Sequence, residues 1–334
     1  MVITKYSKKY NDISLIKKDQ FKDNLNHLKS ILKVNKIYKK NPKRDTCKNC
    51  NQQKLKKFIH SFEIDYYICK MCGHLNGAYK DTKKFTNKIY FKNKGKNYSK
   101  NYLKDFNLRV KKIYSPKVDF LNKVIKKKIS ILDIGSGGGH FLKALENKKI
   151  LAKGIEPNRD LCNLGNKRLK KNKIIISTME DAYEIVKNEK NFNVLSMIGV
   201  LEHLENPEKI LNAFKKSKLK YLYLSVPIFS FSVFLENSFQ NIFPRQLSGG
   251  HTHLYTESSL NYLKKKFKLR TLGEWWFGTD MPDLYRSIIN SANILDKKLY
   301  LKEFNNKFYK HVNELQNILD KNKICSEVHL ILSK

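Results

Sequence analysis

The sequence predicts an α/β protein in which a seven-stranded, Rossmann-like sheet carries helices on both faces and follows a small cysteine-bearing module. Three observations lead to this prediction. From residue 129 onward, short apolar segments alternate with amphipathic ones, which is typical of a wound, mostly parallel sheet. The first apolar segment runs directly into a glycine-rich turn. Two C-x-x-C pairs stand well upstream of that turn.

Seven apolar segments provide the strands of the predicted sheet. In chain order they are "ISILDIG", "ILAKGIEP", "KIIISTM", "FNVLSMIG", "KYLYLSVP", "KLRTLGEWWF" and "SEVHLILSK". Segments such as "HFLKALEN" and "NPEKILNAFKKS" fit helices between them, because their apolar residues recur at helical spacing. Two inserts, at 227–255 and 279–322, do not fit the alternation, and the second has a largely helical pattern.

Residues 129–334 form the sheet domain in this interpretation, and three blocks precede it. They are a basic helical segment at 1–45, the cysteine module at 46–80 and a basic helical connector at 81–128. The first block contains one amphipathic stretch, "FKDNLNHLKSILKVN". The connector ends in "KVDFLNKVIKKK", in which apolar residues again recur at helical spacing.

The formal net charge of +37 raises the question of a polyanionic partner. Sixty of the 67 basic residues are lysine, and they are spread over the whole chain. Arginine is the preferred side chain for bidentate contacts to phosphates and bases. The pattern therefore favours solvated lysine on ordinary surfaces, as an AT-rich coding bias produces, over a nucleic-acid partner.

The cellular setting predicted from the sequence is a reducing cytoplasm. No apolar run reaches the 18 residues that suggest a membrane span, and "MVITKYSKKYND" at the N-terminus lacks the apolar core of a secretory signal. Six cysteines in a chain of 334 residues do not make a disulfide scaffold.

Two cysteine pairs predict a zinc site. The four cysteines are Cys47, Cys50, Cys69 and Cys72, with 18 residues between the pairs. This spacing is typical of four-thiolate zinc, and Asn51 and Gly73 after the pairs tolerate a left-handed backbone. Alternation between the pairs predicts a zinc ribbon whose ion is structural, because four thiolates leave no open coordination position. A redox dithiol is the alternative. Cys162 and Cys325 have the pattern of buried apolar residues.

The turn "ILDIGSGGGH" (131–140) distinguishes between two nucleotide cofactors. The dinucleotide fingerprint G-x-G-x-x-G requires a third glycine where this sequence has His140, so NAD is disfavoured. An acid followed by alternating glycines fits instead: Asp133, then Gly135, Gly137 and Gly139. In this respect the sequence resembles the class I S-adenosylmethionine (SAM) methyltransferases. In that family the methionine part of SAM lies over the turn, where a Cβ would clash.

The resemblance implies further cofactor contacts at the ends of the next three strands. Glu156, in "GIEPN", stands where the family places an acid on the ribose hydroxyls, and two acceptor oxygens suit two vicinal donors. Met179 and Glu180, in "STMED", match the family's adenine-flanking positions. Ile198 lies where strand four enters "IGVLEHLENPEKIL" and is assigned to the same site. Gly199, which follows it, departs from the family pattern, in which an Asp is common.

The order of ribbon, connector and SAM domain, followed by "GGHTHLYTESSL", resembles the zinc-ribbon methyltransferases of bacterial cell-surface polysaccharide and sugar-modifying pathways. The resemblance implies methyl transfer to a sugar, a glycan or a related small molecule. Such a transfer is an in-line displacement, and a hydroxyl or carbon-acid acceptor must lose a proton to a base. The candidate bases are His203, His251 and His253, because histidine titrates near neutral pH, and Tyr255 is expected to assist.

Other interpretations of these residues stay open. His203 also fits a helix-start residue that is bonded to the backbone. If the segment is extended, His251 and His253 share one face and suit a metal ion, although no third ligand is evident. Trp275 and Trp276 fit core packing better than sugar stacking, because adjacent strand residues face opposite ways.

Two other functions stay open as well. In a tRNA or rRNA methyltransferase, the ribbon and the connector would grip RNA. Scarce arginine and the lack of an Asn-Pro-Pro-aromatic motif after strand four count against this function. The other alternative is a non-catalytic module, although the intact acid and glycines indicate cofactor binding. The sequence does not determine the acceptor, the methylated atom or the oligomeric state.

Overall fold

The computed structural model describes residues 1–8, 23–90, 105–247, 250–295 and 297–334. Within these ranges, twelve strands form one eight-stranded and one four-stranded sheet. The middle of the predicted connector and the start of the first predicted helix lie outside the described residues, as does Gly249 of "GGHTHLYTESSL".

The strands are β1 (Ile3–Tyr6), β2 (Leu55–Ser61), β3 (Ile64–Cys69), β4 (Leu75–Gly77), β5 (Ile131–Ile134), β6 (Ala152–Glu156), β7 (Lys173–Ile176), β8 (Val194–Ile198), β9 (Tyr221–Pro227), β10 (His253–Leu254), β11 (Arg270–Phe277) and β12 (Glu327–Ser333). The α-helices are α1 (Asn24–Tyr38), α2 (Lys83–Tyr90), α3 (Phe106–Arg109), α4 (Ser115–Val124), α5 (His140–Asn147), α6 (Arg159–Asn166), α7 (Met179–Asn188), α8 (Pro207–Lys216), α9 (Phe231–Ser238), α10 (Glu257–Lys266), α11 (Asp280–Ile294), α12 (Lys298–Phe308) and α13 (Val312–Lys321). A π-helical turn, Val110–Tyr114, joins α3 to α4, and 3-10 turns occur at Leu201–His203 and Tyr309–His311.

The large sheet confirms the predicted fold class. Its strand order is β1-β11-β12-β9-β8-β5-β6-β7, and the neighbours from β9 to β7 are parallel. β12 is antiparallel to both β9 and β11. All seven predicted strands lie in this sheet, and an apolar core covers each face. Trp275 and Trp276 of β11 are buried in opposite cores, as the core-packing interpretation requires.

The eighth strand of the large sheet is β1, and it requires a correction. Within residues 1–45 the sequence predicts one helix, at "FKDNLNHLKSILKVN", and no strand; the strand Ile3–Tyr6 is therefore a correction. This segment lies parallel to β11 and covers an edge that β11 would otherwise expose. Lys5 Nζ lies 3.6 Å from the ring centroid of Trp275. Four residues are too few to show a periodic pattern, so only the partner strand makes this segment a strand.

The order of the strands places a crevice at the carboxyl ends of β5 and β8. β6 and β7 extend to one side of β5, whereas β8 and β9 extend to the other. Open α/β sheets bind ligands at such a reversal. The glycine-rich turn follows β5, and the 3-10 turn Leu201–His203 follows β8, so both lie at this edge.

The small sheet joins the cysteine module to the insert at 227–255. Its order is β10-β4-β3-β2, so its first strand comes from that insert. In the register of β10 and β4, His253 pairs with Asn76. A Cβ at Gly77 would lie 2.6 Å from the Thr252 carbonyl oxygen, so glycine is required at this junction. The module and the insert therefore share one sheet, and they also share one apolar core.

The insert at 279–322 is helical, as the sequence predicts, and contains α11, α12 and α13. Asp280 at the start of α11 is fully buried. Its carboxylate accepts hydrogen bonds from Ser230 Oγ (2.6 Å) and from the Ser326 N–H (3.0 Å). This side chain therefore ties α11 both to the segment after β9 and to the segment before β12.

Two further properties concern the whole described chain. None of its described helices is both long and apolar enough to cross a membrane. All six cysteines are described, and none of them forms a disulfide.

Candidate active site

The glycine-rich turn leaves one side of its backbone open at Gly137. Gly135, Gly137 and Gly139 all have left-handed φ values, of 71°, 52° and 78°, which side chains rarely adopt. A Cβ at Gly135 would lie 2.5 Å from Val200 Cγ2, so this glycine permits close packing. At Gly137, no atom of the described residues lies within 4 Å of the position of a Cβ. A ligand can therefore approach the backbone there.

Glu156 ends β6 beside this turn. Its Oε2 accepts a hydrogen bond from the Gly137 N–H (2.8 Å), and its Oε1 accepts one from the Asn158 N–H (2.9 Å). Each oxygen keeps a second lone pair that a ligand hydroxyl can use. Burial raises the pKa of Glu156, although the two backbone N–H groups oppose that shift.

Asp133 lies in β5, buried just before the turn. Its Oδ1 accepts a hydrogen bond from Ser196 Oγ of the neighbouring β8 (2.5 Å). Burial raises the pKa of Asp133 to about 7, although hydrogen bonds from Ser196 and Ser136 oppose the shift. The charge of this carboxylate therefore changes near neutral pH.

The other three predicted cofactor residues lie along the same edge. Ile198 is the last residue of β8 and is partly exposed. Met179 begins α7 and packs against the core, while Glu180 forms an exposed ion pair with Lys83 of α2 (2.7 Å). The end of β7 lies beside the end of β6, so Met179 and Glu180 border the space next to Glu156.

Two charged residues at this edge are not predicted from the sequence. Lys117 of α4 is 6% exposed. Burial lowers the pKa of Lys117, and nearby carboxylates oppose that shift, namely those of Glu327, Asp133 and Glu202. Glu327 begins β12, and its Oε1 accepts a hydrogen bond from His329 Nε2 (2.8 Å). No sequence signal separates Lys117 from the other lysines, and Glu327 is known to border the site only once β12 lies beside β9.

Two of the predicted bases meet at the 3-10 turn after β8. The ring of His203 stacks on the ring of His251, with centroids 5.4 Å apart and planes inclined by 22°. Glu202 Oε1 lies 3.8 Å from His203 Nε2. Glu202 is buried, and this burial raises the pKa of Glu202 to about 8. A carboxyl group and two imidazoles therefore share one small site.

The third predicted base, His253, and the residue expected to assist, Tyr255, are both buried. His253 Nε2 lies 2.7 Å from the carbonyl oxygen of Glu202, and His253 Nδ1 lies 2.8 Å from His74 Nε2. Burial lowers the pKa values of His74 and His253 well below the usual value, so both imidazoles are neutral near pH 7.

The contacts of His253 determine the tautomers of both buried histidines. A carbonyl oxygen only accepts, so His253 carries its proton on Nε2, and its Nδ1 accepts a hydrogen bond from His74 Nε2–H. His74 Nδ1 then faces Ser259 Oγ at 3.3 Å. His74 is not predicted as a functional residue, although it directly follows Gly73 of the second cysteine pair. Its partner lies too far along the chain for any local pattern to show the contact.

The structure thus separates the four predicted catalytic residues into two pairs. His203 and His251 lie at the site, and the side chain of His203 is 24% exposed. His253 and Tyr255 lie behind it, where His253 holds the backbone of the turn. The sequence suggests that His251 and His253 could share a metal ion. In the structure the two side chains are separated: the ring of His251 stacks on His203, whereas His253 lies behind the site.

The four predicted zinc ligands converge on one point. Cys47 Sγ lies 3.7 Å from Cys72 Sγ, and Cys50 Sγ lies 3.5 Å from Cys69 Sγ. A zinc tetrahedron with Zn–S bonds of about 2.3 Å separates its sulfurs by roughly 3.8 Å. The side-chain amide of Asn76 donates to Cys47 Sγ (3.5 Å), which stabilises a thiolate. The four side chains therefore fit a zinc ion.

A comparison with protein families gives a match that includes the glycine-rich turn. The sequence model of a protein family described as a methyltransferase domain matches residues 106–272, which are 167 of the 334 residues. No curated protein is similar enough in sequence to count as a match.

Several solved structures are similar to this chain in fold. One is a SAM-dependent methyltransferase from Archaeoglobus fulgidus, with 15% identity, a TM-score of 0.43, and coverage of 66% of this chain and 92% of that one. Another is the magnesium protoporphyrin IX methyltransferase of Synechocystis PCC 6803 with bound S-adenosylhomocysteine (SAH), with 8% identity, a TM-score of 0.49, and coverage of 76% and 100%. A third is the geranyl diphosphate C-methyltransferase of Streptomyces coelicolor A3(2), with 9% identity, a TM-score of 0.41, and coverage of 68% and 82%.

We expect His253→Ala to destabilise the fold by about 2–4 kcal/mol, because it leaves a cavity and two buried polar groups without partners. The midpoint of urea-induced unfolding near neutral pH measures this change. His60→Ala is the matched control, since His60 is an exposed ribbon histidine whose Nδ1 contacts Asp65 (2.7 Å). Loss of an exposed contact shifts the midpoint little. Equal shifts in the two variants would contradict the role of His253.

Proposed function

Because this chain belongs to the methyltransferase-domain family, within the class I SAM-dependent methyltransferases, we propose that it transfers the methyl group of SAM to a sugar, a glycan or a related small molecule in cell-surface polysaccharide biosynthesis. One observation carries the proposal: the open backbone at Gly137 follows β5, which lies between β6, ending in Glu156, and β8, leading into the turn with Glu202 and His203. A cofactor site and a group of acid–base side chains therefore border the same edge of the sheet.

In this proposal SAM lies with its methionine part over Gly137. Asp133 holds the cofactor's ammonium group, and Glu156 accepts from the ribose hydroxyls with the lone pairs that its two backbone partners leave unused. Met179, Glu180 and Ile198 border the adenine, as the resemblance implies. Gly135 and Gly139 complete the turn, where their left-handed backbone excludes most side chains.

The bound cofactor supplies an electrophilic methyl group on a sulfonium, and the residues of this chain align the acceptor and remove its proton. His203 and His251 are the proposed groups for proton removal. His253 acts as a positioning residue, because it holds the carbonyl oxygen of Glu202 at 2.7 Å. Tyr255 packs behind it, with its ring centroid 5.6 Å from that of His253.

The internal ion pairs of several arginines favour a small acceptor over RNA. Three of the seven are engaged in internal ion pairs: Arg44 with Asp81 (2.9 Å), and Arg245 and Arg286 with Asp283 (3.0 and 3.4 Å). These guanidinium groups are not available for phosphates. The choice of a sugar or glycan is supported by the resemblance in domain order and in the segment that contains His251.

We further propose that Cys47, Cys50, Cys69 and Cys72 hold one structural zinc ion in the ribbon at 46–80. The catalytic domain in this proposal is 129–334, preceded by the segments at 1–45 and 81–128. A zinc-bound ribbon and free thiols suit a reducing cytoplasm.

The proposed function is tested first at the cofactor. We expect the wild-type chain to bind SAH in isothermal titration calorimetry and Gly137→Arg to lose that binding. The fold should persist in the variant at a cost of about 1–2 kcal/mol, because the left-handed backbone strains any side chain while no described atom beyond the chain neighbours lies near the added Cβ; thermal unfolding checks this. Unchanged SAH affinity in a folded Gly137→Arg variant would contradict the assignment of SAM as the cofactor.

The acceptor is tested with the wild-type chain and the Gly137→Arg variant. Methyl transfer from labelled SAM is measured against cell extract divided into RNA, lipid-linked glycan and nucleotide-sugar fractions, with Gly137→Arg as the blank. We expect label in one of the two sugar fractions. Label in the RNA fraction would favour the alternative function, a tRNA or rRNA methyltransferase in which the ribbon and connector bind RNA.

Cofactor affinity should depend on pH through Asp133. The ionised carboxylate binds the ammonium group of the cofactor, so affinity should fall as the pH drops through about 7, and by about ten-fold at one unit below that pKa. Asp133→Asn should bind SAH weakly at every pH. Glu202→Gln is the control. It removes the other nearby acid whose pKa is raised, and its SAH affinity should still fall with pH as that of the wild type does. A flat profile in the wild type is incompatible with this role of Asp133.

Removal of the proposed zinc should unfold the ribbon. We expect about one zinc per wild-type chain by elemental analysis, and almost none in Cys50→Ser, because three thiolates hold the ion much less tightly. Cys162→Ser is the matched control, a buried cysteine outside the cluster. A metal-free wild-type chain with an unchanged unfolding temperature would refute the structural ion.

A further inference from the structure

We propose that Glu202, His203 and His251 form a second metal site, which binds a divalent first-row ion such as Mn²⁺ or Fe²⁺. One oxygen of Glu202 and one nitrogen of each histidine lie within 4.8 Å of one another. The site stands at the carboxyl end of β8 and shares no residue with the cysteine cluster. The sequence suggests a pair formed by His251 and His253; the structure instead pairs His251 with His203 and adds Glu202 as the third ligand.

The spacing suits a shared ion better than a direct hydrogen bond. Glu202 Oε1 lies 3.8 Å from His203 Nε2, which is beyond hydrogen-bond range. An ion with bonds of about 2.0–2.2 Å keeps its ligand atoms roughly 3–4 Å apart. Small side-chain rotations therefore bring all three ligand atoms onto one ion.

The second observation is the buried carboxyl of Glu202. This residue is 4% exposed, and its Oε2 has no hydrogen-bond partner among the described residues. A buried polar atom without a partner is costly, and native structures rarely keep one without a reason. A bound cation would provide the missing partner for this carboxylate.

Two neighbouring contacts hold the ligands in place. His253 Nε2 donates to the carbonyl oxygen of Glu202 (2.7 Å), and the same histidine begins β10, two residues after His251. β10 is itself paired with β4 of the ribbon through His253 and Asn76. The ribbon therefore supports both the turn that carries Glu202 and His203 and the strand that follows His251, as the outer contacts of metal ligands commonly do.

The donor set determines the class of ion and its use. Two imidazoles and one carboxylate suit borderline first-row divalent ions, and three protein ligands leave coordination positions open. Four thiolates, by contrast, close the ribbon site. If the proposed methyl transfer is correct, an acceptor oxygen can fill an open position and lose its proton to solvent water more readily. In the metal-bound protein His203 and His251 then act as ligands, and the ion replaces them as the group that promotes proton loss. This use rests on the proposed function, whereas ion binding itself does not.

The experiment is a titration of the full-length, zinc-loaded chain with Mn²⁺, in which the free ion is followed by electron paramagnetic resonance. Thiolates select zinc over Mn²⁺, so the ribbon should keep its zinc while Mn²⁺ reports the second site. We expect about one Mn²⁺ per chain. Glu202→Gln, His203→Ala and His251→Ala should each weaken this binding by ten-fold or more.

His311→Ala is the matched control, because His311 forms an exposed pair with Glu314 (3.2 Å) that resembles the site in composition only. Its Mn²⁺ affinity should equal that of the wild type. The proposal is overturned if the folded wild type binds no Mn²⁺, if the three ligand variants bind as the wild type does, or if only His311→Ala loses binding. Zinc content and circular dichroism verify the fold of each variant. If Glu202→Gln does not fold, the Mn²⁺ affinity of His203→Ala tests the proposal in its place.

SAH binding is measured on the same samples. Mn²⁺ binding without SAH binding would support the metal site and reject the proposed function, whereas SAH binding without Mn²⁺ binding would do the reverse. The two proposals therefore fail separately.

Discussion

The site depends on one chain of buried hydrogen bonds that runs from Ser259 through His74 and His253 to the carbonyl oxygen of Glu202. Both imidazoles are neutral, because burial penalises their charged forms. A neutral imidazole has one donor and one acceptor nitrogen, so the direction of the chain is set by the carbonyl oxygen at its end. The turn after β8 is thereby attached to the ribbon. On the zinc proposal, a metal that takes no part in the reaction still fixes the geometry of the residues that do.

Burial also sets the charges at the carboxyl edge of the sheet. It raises the pKa of Asp133 to about 7 and that of Glu202 to about 8, and Lys117 is buried among the same acids. A cation that enters such a site favours the ionised form of each acid it meets. The sulfonium and ammonium groups of SAM and a divalent metal ion are both cations. The cofactor proposal and the metal proposal thus draw on the same electrostatic property of this edge.

The ribbon and the insert at 227–255 form one structural unit although they are distant in sequence. β10 completes the ribbon sheet, and apolar residues of both segments share a core with α1 and α2. This unit carries His251 to the turn after β8, where its ring stacks on His203. On the proposed function, an acceptor bound beside His203 meets the ribbon unit as well as the large sheet, which is a reason to expect the ribbon to influence acceptor choice.

Local patterns were sufficient for seven of the eight strands of the large sheet, the glycine-rich turn and the convergence of the cysteines, because each depends on residues close together in the chain. Periodicity marks a strand within a few residues, and a C-x-x-C spacing brings two sulfurs together. Tertiary structure alone decided that Ile3–Tyr6 is a strand, that His253 is buried and bonded to the turn after β8, and that His74, Lys117 and Glu327 lie near that turn. Those outcomes depend on burial and on pairing between distant segments. The charge, the tautomer and the partner of such a side chain are set by neighbours that no local pattern specifies.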